Sequence, residues 1–158
     1  MAKKGQWETR LRKLPPFERT LSAILLEAKE TVLGPMRPKL REHGLTEPQW
    51  RVLRLLTDWG ATEATGLAEG GYLHAPSVAR ILKELEKRKF IRRMHDPEDR
   101  RRILAMLTPE GAEMVMILAE EVARIKDEFA SRFGPERLEW LQGELRDLAI
   151  AIKDVEIE

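Results

Sequence analysis

The sequence predicts a mainly helical fold with one small β-hairpin. Three observations predict it: stretches in which apolar residues recur every three or four positions, two short apolar runs on either side of a charged turn, and cap or breaker residues where each stretch begins and ends. With 158 residues and 42% hydrophobic content, the chain suits one domain and one core, residues 1–158. The longest stretch without Asp, Glu, Lys or Arg is the ten residues from Gly70 to Ala79, half a bilayer span and interrupted by Pro76. No membrane crossing is expected. No apolar segment follows the basic start Met1-Ala-Lys-Lys, so a cytoplasmic location is expected. The absence of cysteine excludes disulfides, thiol nucleophiles and thiolate zinc sites.

From Glu18 to about Val32, Leu21, Ile24, Leu25 and Ala28 form the stripe of an amphipathic helix, which Gly34-Pro35 and Pro38 are expected to bend or interrupt. Thr46-Glu47-Pro48-Gln49 supplies a capping Thr, an early Pro and a Gln three residues on, and Val52, Leu53, Leu56 and Trp59 then share one face. That predicts a helix ending near Gly60. Thr65 to Glu69 forms a short turn stopping at Gly70-Gly71, and Pro76 opens a helix with Val78, Ile81, Leu82 and Leu85 inward. Its other face carries Ser77, Ala79, Arg80, Lys83, Glu84 and Lys87. The runs 90–94 and 103–107 read as antiparallel strands around the polar segment 95–102, whose Asp96-Pro97 favours a turn. Thr108-Pro109 starts a long helix through Val115, Leu118, Val122, Ile125, Phe129 and Phe133, and Gly134-Pro135 separates it from a last helix with Leu138, Leu141, Leu145, Leu148 and Ile152.

The near-neutral total of 28 basic and 27 acidic residues hides an uneven distribution. Residues 1–79 carry 12 basic and 9 acidic side chains, residues 80–102 carry 10 and 5, and residues 103–158 carry 6 and 13, so the segments are +3, +5 and −7. The basic segment coincides with the third strong helix and the hairpin, which is the element order of a winged helix-turn-helix: a helix for the major groove and a basic hairpin for the neighbouring minor groove.

The runs Leu45 to Leu53, Pro76 to Leu82, Leu85-Glu86-Lys87-Arg88, Asp96-Pro97-Glu98-Asp99-Arg100-Arg101 and Leu107-Thr108-Pro109-Glu110-Gly111 together resemble the MarR family of bacterial transcription regulators, over roughly residues 17–153. Within that family, the run from Arg37-Pro38 through His43-Gly44-Leu45-Thr46 to Trp50-Arg51-Val52-Leu53 is similar to regulators of homoprotocatechuate and related aromatic-catabolism operons. The resemblance implies a double-stranded DNA-binding repressor released by a small aromatic carboxylate or phenol. It also implies a homodimer on a pseudo-palindromic operator whose half-sites lie ~10 bp apart. In that arrangement residues 46–108 form the DNA-binding lobe, and residues 17–44 and 109–155 are dimerisation helices, with Leu138, Leu141, Leu145 and Leu148 at the interface. Two departures stand out. Gly66, Gly70 and Gly71 replace stronger helix formers, and Ala75 and Ala79 stand where relatives often present polar or basic groups, so base reading rests on few side chains.

The candidate DNA contacts are Ser77, Arg80, Lys83 and Lys87 on the helix, Arg93 on the first strand, and Arg100, Arg101 and Arg102 in the turn. Arginine chelates guanine or holds phosphate, and in a narrow minor groove it is held by the negative potential. The sequence leaves open which wing arginine enters the groove. In the family, an acidic wing residue orients such an arginine, which points to Asp99. Arg92 and Arg93 alternate across the strand, so only one of them can face the duplex. For an aromatic effector lodged between dimerisation helices and the winged lobe, the candidates are Arg19, Ser22, His43 and Trp50.

An enzyme is not expected: Ser22, Ser77, Ser131, His43, His74 and His95 lie in no nucleophile motif. His74 and His95 near Asp96 and Asp99 lack metal-ligand spacing, so neither metal nor cofactor is expected. The rival reading is a winged-helix adaptor that contacts proteins through the acidic C-terminal third.

Overall fold

The computed structural model describes Leu11, residues 13–153 and Val155. The chain separates into two compact units, residues 1–38 and 39–158. In the first, a 3-10 turn at Phe17–Arg19 precedes helix α1, Leu21–Leu33. The sequence placed a continuous helix from Glu18. Thr20 breaks it in two, because its extended backbone and its hydroxyl, which accepts from the Ala23 amide at 3.3 Å, make it an N-cap. Ala23 is the one buried residue of α1, so Leu21, Ile24, Leu25 and Leu26 stay exposed within this unit.

Helix α2, Met36–Glu42, is formed where the sequence suggested interruption. Pro38 is its third residue, in the first turn, where an amide has no helical acceptor in any case. Helix α3, Glu47–Trp59, has the expected capping box: the Thr46 hydroxyl accepts from the Gln49 amide at 3.4 Å and the Thr46 amide donates to Gln49 Oε1 at 2.9 Å. Strand β1, Thr62–Glu63, leads into α4, Ala64–Gly71, and then α5, Ala75–Lys87. Strands β2, Ile91–His95, and β3, Ile103–Leu107, form the predicted hairpin, and β1 adds a third strand that the sequence did not reveal. The antiparallel order is β1-β3-β2, with Thr62 and Arg93 both opposite Ala105.

The core of the second unit takes in Val52, Leu53, Leu56, Val78, Ile81, Leu82, Leu85, Val115 and Leu118 from the stripes that periodicity picked out, whereas Trp59, expected on the same face of α3, is 52% exposed. Leu40, Leu45, Val52, Leu53, Leu67, Val78, Leu85, Ile91 and Leu118 are fully buried, which removes their apolar surface from water at roughly 1.5–3 kcal/mol each. Two glycines allow close approaches. The Trp59 indole lies over Gly70, where a Cβ would sit 1.9 Å from the ring, and α4 takes in Gly70 and ends at Gly71, within the glycine pair expected to stop it. At Gly111 the first turn of α6, Pro109–Phe133, meets the Phe90 carbonyl, which a Cβ would approach to 1.9 Å. Thr108 fixes that junction by capping the Gly111 amide at 3.1 Å while donating to the Lys89 carbonyl at 2.5 Å. Helix α7, Pro135–Ala151, follows Gly134 and packs against α6, but none of its residues is buried.

Candidate nucleic-acid interface

Helix α5 is anchored at its far end, which fixes the direction of its exposed face. Arg88, just past its last residue, donates to the carbonyls of Gly44 at 2.6 Å and His43 at 2.9 Å and lies 4.5 Å over the Phe90 ring. Buried Gln49 of α3 donates to Glu84 at 2.8 Å, so the acid on this face already has a partner. Arg80, Lys83 and Lys87 are exposed and make no hydrogen bond or ion pair among the described residues; Ser77 is half-buried near the helix start.

Arg93 is held differently. Its guanidinium bonds Glu86 of α5, with Nε to Oε2 at 2.9 Å, tying strand β2 to the helix. That bond holds the Glu86 carboxyl below the usual carboxylate range and raises the arginine pKa further. Arg80, Lys83, Glu84, Glu86, Lys87 and Arg93 line one open depression where helix and hairpin meet. Arg93, a candidate DNA contact, is thus tied to Glu86 while its side chain stays 43% exposed.

The turn between the strands is built from carboxylates. Buried Asp96 accepts from the Glu98 amide at 2.9 Å and pairs with Arg102 at 3.2 Å. Arg102 Nε also donates to Glu63 of β1 at 2.8 Å, the main reason its pKa is raised. Like Arg93, Arg102 serves the scaffold: it braces the wing against β1. His95 Nδ1 donates to the Arg100 carbonyl at 2.8 Å, since a carbonyl can only accept. Asp99 accepts from the Arg101 amide at 3.1 Å and from Arg101 Nε at 3.2 Å, leaving the Arg101 side chain 92% exposed. Arg100 is exposed and has no side-chain partner among the described residues.

Of the candidate effector residues, Arg19 and Ser22 are exposed in the first unit, where the Ser22 hydroxyl lies 3.2 Å from that of Thr20. In the second unit Trp50 is only 6% exposed, within the core, and half-buried His43 lies 3.9 Å from Glu121. On α7, Leu138, Leu141 and Leu148 are half-exposed and Leu145 is exposed. Among the described residues no three acids or imidazoles converge as a metal site, and no helix is long and apolar enough to cross a membrane.

Sequence reasoning missed Glu63, Glu86 and Asp96 as arginine partners. Tyr72, the only tyrosine in the chain, stands in the turn before α5.

The MarR family profile matches residues 45–103, from the loop before α3 to the start of β3. The chain is 33% identical over 125 residues to the transcriptional regulator FarR of Neisseria gonorrhoeae, covering 79% of this chain and 86% of that protein. It is 27% identical over 122 residues to the homoprotocatechuate degradative operon repressor of Escherichia coli, covering 77% and 82%. Among solved structures, NadR in complex with 4-hydroxyphenylacetate matches at 29% identity and a TM-score of 0.78, over 87% of this chain and all of that one (100%). The repressor CouR bound to a 23-mer DNA duplex matches at 26% and 0.77, over 87% and 99%. With the helical scaffold, the basic helix and the braced hairpin, these likenesses establish that the chain belongs to the MarR family of transcriptional regulators.

Proposed function

We propose that the protein is a homodimeric repressor that binds a pseudo-palindromic operator in the cytoplasm and is released by a small aromatic carboxylate or phenol. The observation that carries this reading is the set of cations left without partners. Arg80, Lys83 and Lys87 on α5 and Arg100 at the wing have none among the described residues; Arg101 is paired with its neighbour Asp99 and points outward, and Arg93 and Arg102 pair with carboxylates of other elements. The helix presents its cations to the major groove, with Ser77 near the helix start donating to phosphate, and Arg101, oriented by Asp99, enters the minor groove. Binding is the whole of the activity; it requires no catalytic step, metal or cofactor.

The leucines of α7, half-exposed Leu138, Leu141 and Leu148 and exposed Leu145, supply the dimer surface, with α1 and α6 contributing their outward apolar residues. A two-fold protein then meets two half-sites, and an effector releases the duplex by preferring a spacing of the two α5 helices that no longer fits. Arg19, Ser22, His43 and Trp50 remain the effector candidates. NadR binds 4-hydroxyphenylacetate and a homoprotocatechuate operon repressor is a relative, which supports an acidic phenol as the class to try first.

The test is a gel shift with duplexes from the chromosomal region around the protein's own gene. Between 50 and 200 mM salt, affinity should fall by ~10³ or more for six phosphate contacts. Replacing Arg80 and Arg101 by Ala should abolish retention without changing the sizing-column profile, and adding 4-hydroxyphenylacetate should free the wild-type duplex. Salt-independent binding, or unchanged affinity in the double variant, would instead favour the adaptor reading.

A further inference from the structure

We infer that Tyr72 is a further DNA-contacting residue, its phenol hydroxyl donating to a backbone phosphate beside the bases that α5 faces. The inference rests on the DNA-binding reading above and names a residue which that reading does not use.

Tyr72 is 92% exposed, more than any other large apolar side chain among the described residues. It reaches that position through an unusual backbone. As the cap that ends α4 it has φ 50° and ψ 47°, the left-handed region where Gly or Asn is ordinary and a larger L side chain is strained. Its amide bonds the Glu69 carbonyl at 3.1 Å and the Leu73 amide bonds Ala68 at 2.9 Å, so the turn tucks Leu73 towards the protein and stands the phenol in solvent. A turn that needs only a small residue here holds an aromatic one almost wholly in solvent.

The surroundings identify what it meets. Tyr72, His74, Ser77 and Arg80 line one groove between the start of α3 and the first turns of α5. Arg80 also borders the depression shared with Lys83, Lys87 and Arg93, so the two concavities form one track along the helix. The acid common to both, Glu84, is already bonded by Gln49. From Ser77 to Lys87 the helix rises about 15 Å, and Tyr72 extends the track beyond its N-terminal end. A basic track ending in a neutral hydroxyl donor suits a phosphate backbone, to which Tyr hydroxyls commonly donate.

The hydroxyl is neutral, so it displaces no counterion, and this gives the contact its own signature. The probes are duplexes enriched from a random-sequence pool by the wild-type protein, with scrambled duplexes for comparison. Tyr72→Phe keeps the ring and removes the donor. It should bind both probes about tenfold more weakly, the loss of one hydrogen bond to a charged group, with the salt slope of the wild type. Arg80→Ala should instead lower that slope by about 0.9. Wild-type affinity in Tyr72→Phe beside a weakened Arg80→Ala overturns the tyrosine contact and leaves the DNA-binding reading standing. A changed salt slope in Tyr72→Phe shows action through neighbouring cations, and a changed monomer–dimer equilibrium in sedimentation assigns the phenol to a protein interface; either result overturns the inference. Failure to enrich any duplex overturns the DNA-binding reading itself.

Discussion

Gly111 and Gly70 show how the same residue type answers to different surroundings. A Cβ at Gly111 meets the Phe90 carbonyl, a backbone atom at the junction that the Thr108 cap holds, so the chain there must shift. Gly111→Ala should cost about 2–3 kcal/mol, read as a lower urea midpoint with an unchanged slope. At Gly70 the obstacle is the Trp59 ring, half-exposed and able to turn aside, and alanine gains roughly 0.5–1 kcal/mol in helix preference over glycine. Gly70→Ala should therefore cost clearly less than Gly111→Ala, and the reverse order would contradict this account of both positions. Sequence alone marks Gly66, Gly70 and Gly71 as weak helix formers because it shows the backbone entropy of glycine and not the indole that needs the space. It likewise displays every cation but not its partner: Arg93 and Glu86 are seven residues apart, and Arg102 and Glu63 are 39 apart. The basic segment was legible, and which of its arginines pair with carboxylates of other elements was not.

Among the elements, those with a cap at one end and a stripe along one side were readable, which is why α3, α5, α6 and α7 fall where Thr46, Pro76, Thr108 and Pro135 announce them. Helix α2 was hidden because Pro38 reads as a breaker until its place in the first turn is known. Strand β1 was hidden because two residues are too short to alternate; only pairing with β3 makes them a strand. The tie between α5 and β2 makes these two elements sensitive to acid. Arg93 holds the Glu86 carboxyl below its ordinary range, so the folded pKa lies beneath the unfolded one. The stabilisation is therefore complete above the unfolded value and disappears as pH falls through the folded value. Thermal midpoints measured from neutral pH down through the carboxylate range should show wild type above Glu86→Gln at neutral pH, with the gap closing in acid. The gap should also be small, because both side chains remain partly in water, 43% and 36% exposed. A gap that stayed constant with pH would show that the glutamine changes packing and not the ion pair.

For the molecule as a whole, helix α7 poses the remaining physical problem. Seventeen residues are ordered as helix without one buried side chain, and Trp140 and Ile150 stand 66% and 74% exposed on it. Helices in water draw most of their stability from packing an apolar face, so α7 in a lone chain has little to hold it. In the first unit, exposed Leu21, Ile24, Leu25 and Leu26 leave α1 in the same condition. In the proposed dimer a second copy of the chain covers these residues, and mass action supplies a test that needs no variant. If folding and association are coupled, the thermal midpoint of the wild type should rise with protein concentration, since the partner binds the folded chain only. Leu141→Glu combined with Leu145→Glu places charges where that interface requires apolar contact. The double variant should sediment as monomer or precipitate, and any soluble fraction should melt at a midpoint independent of concentration. A wild-type midpoint that does not move with concentration, together with a double variant that keeps the wild-type mass, would mean that α7 is stable without a partner and that the dimer surface lies elsewhere.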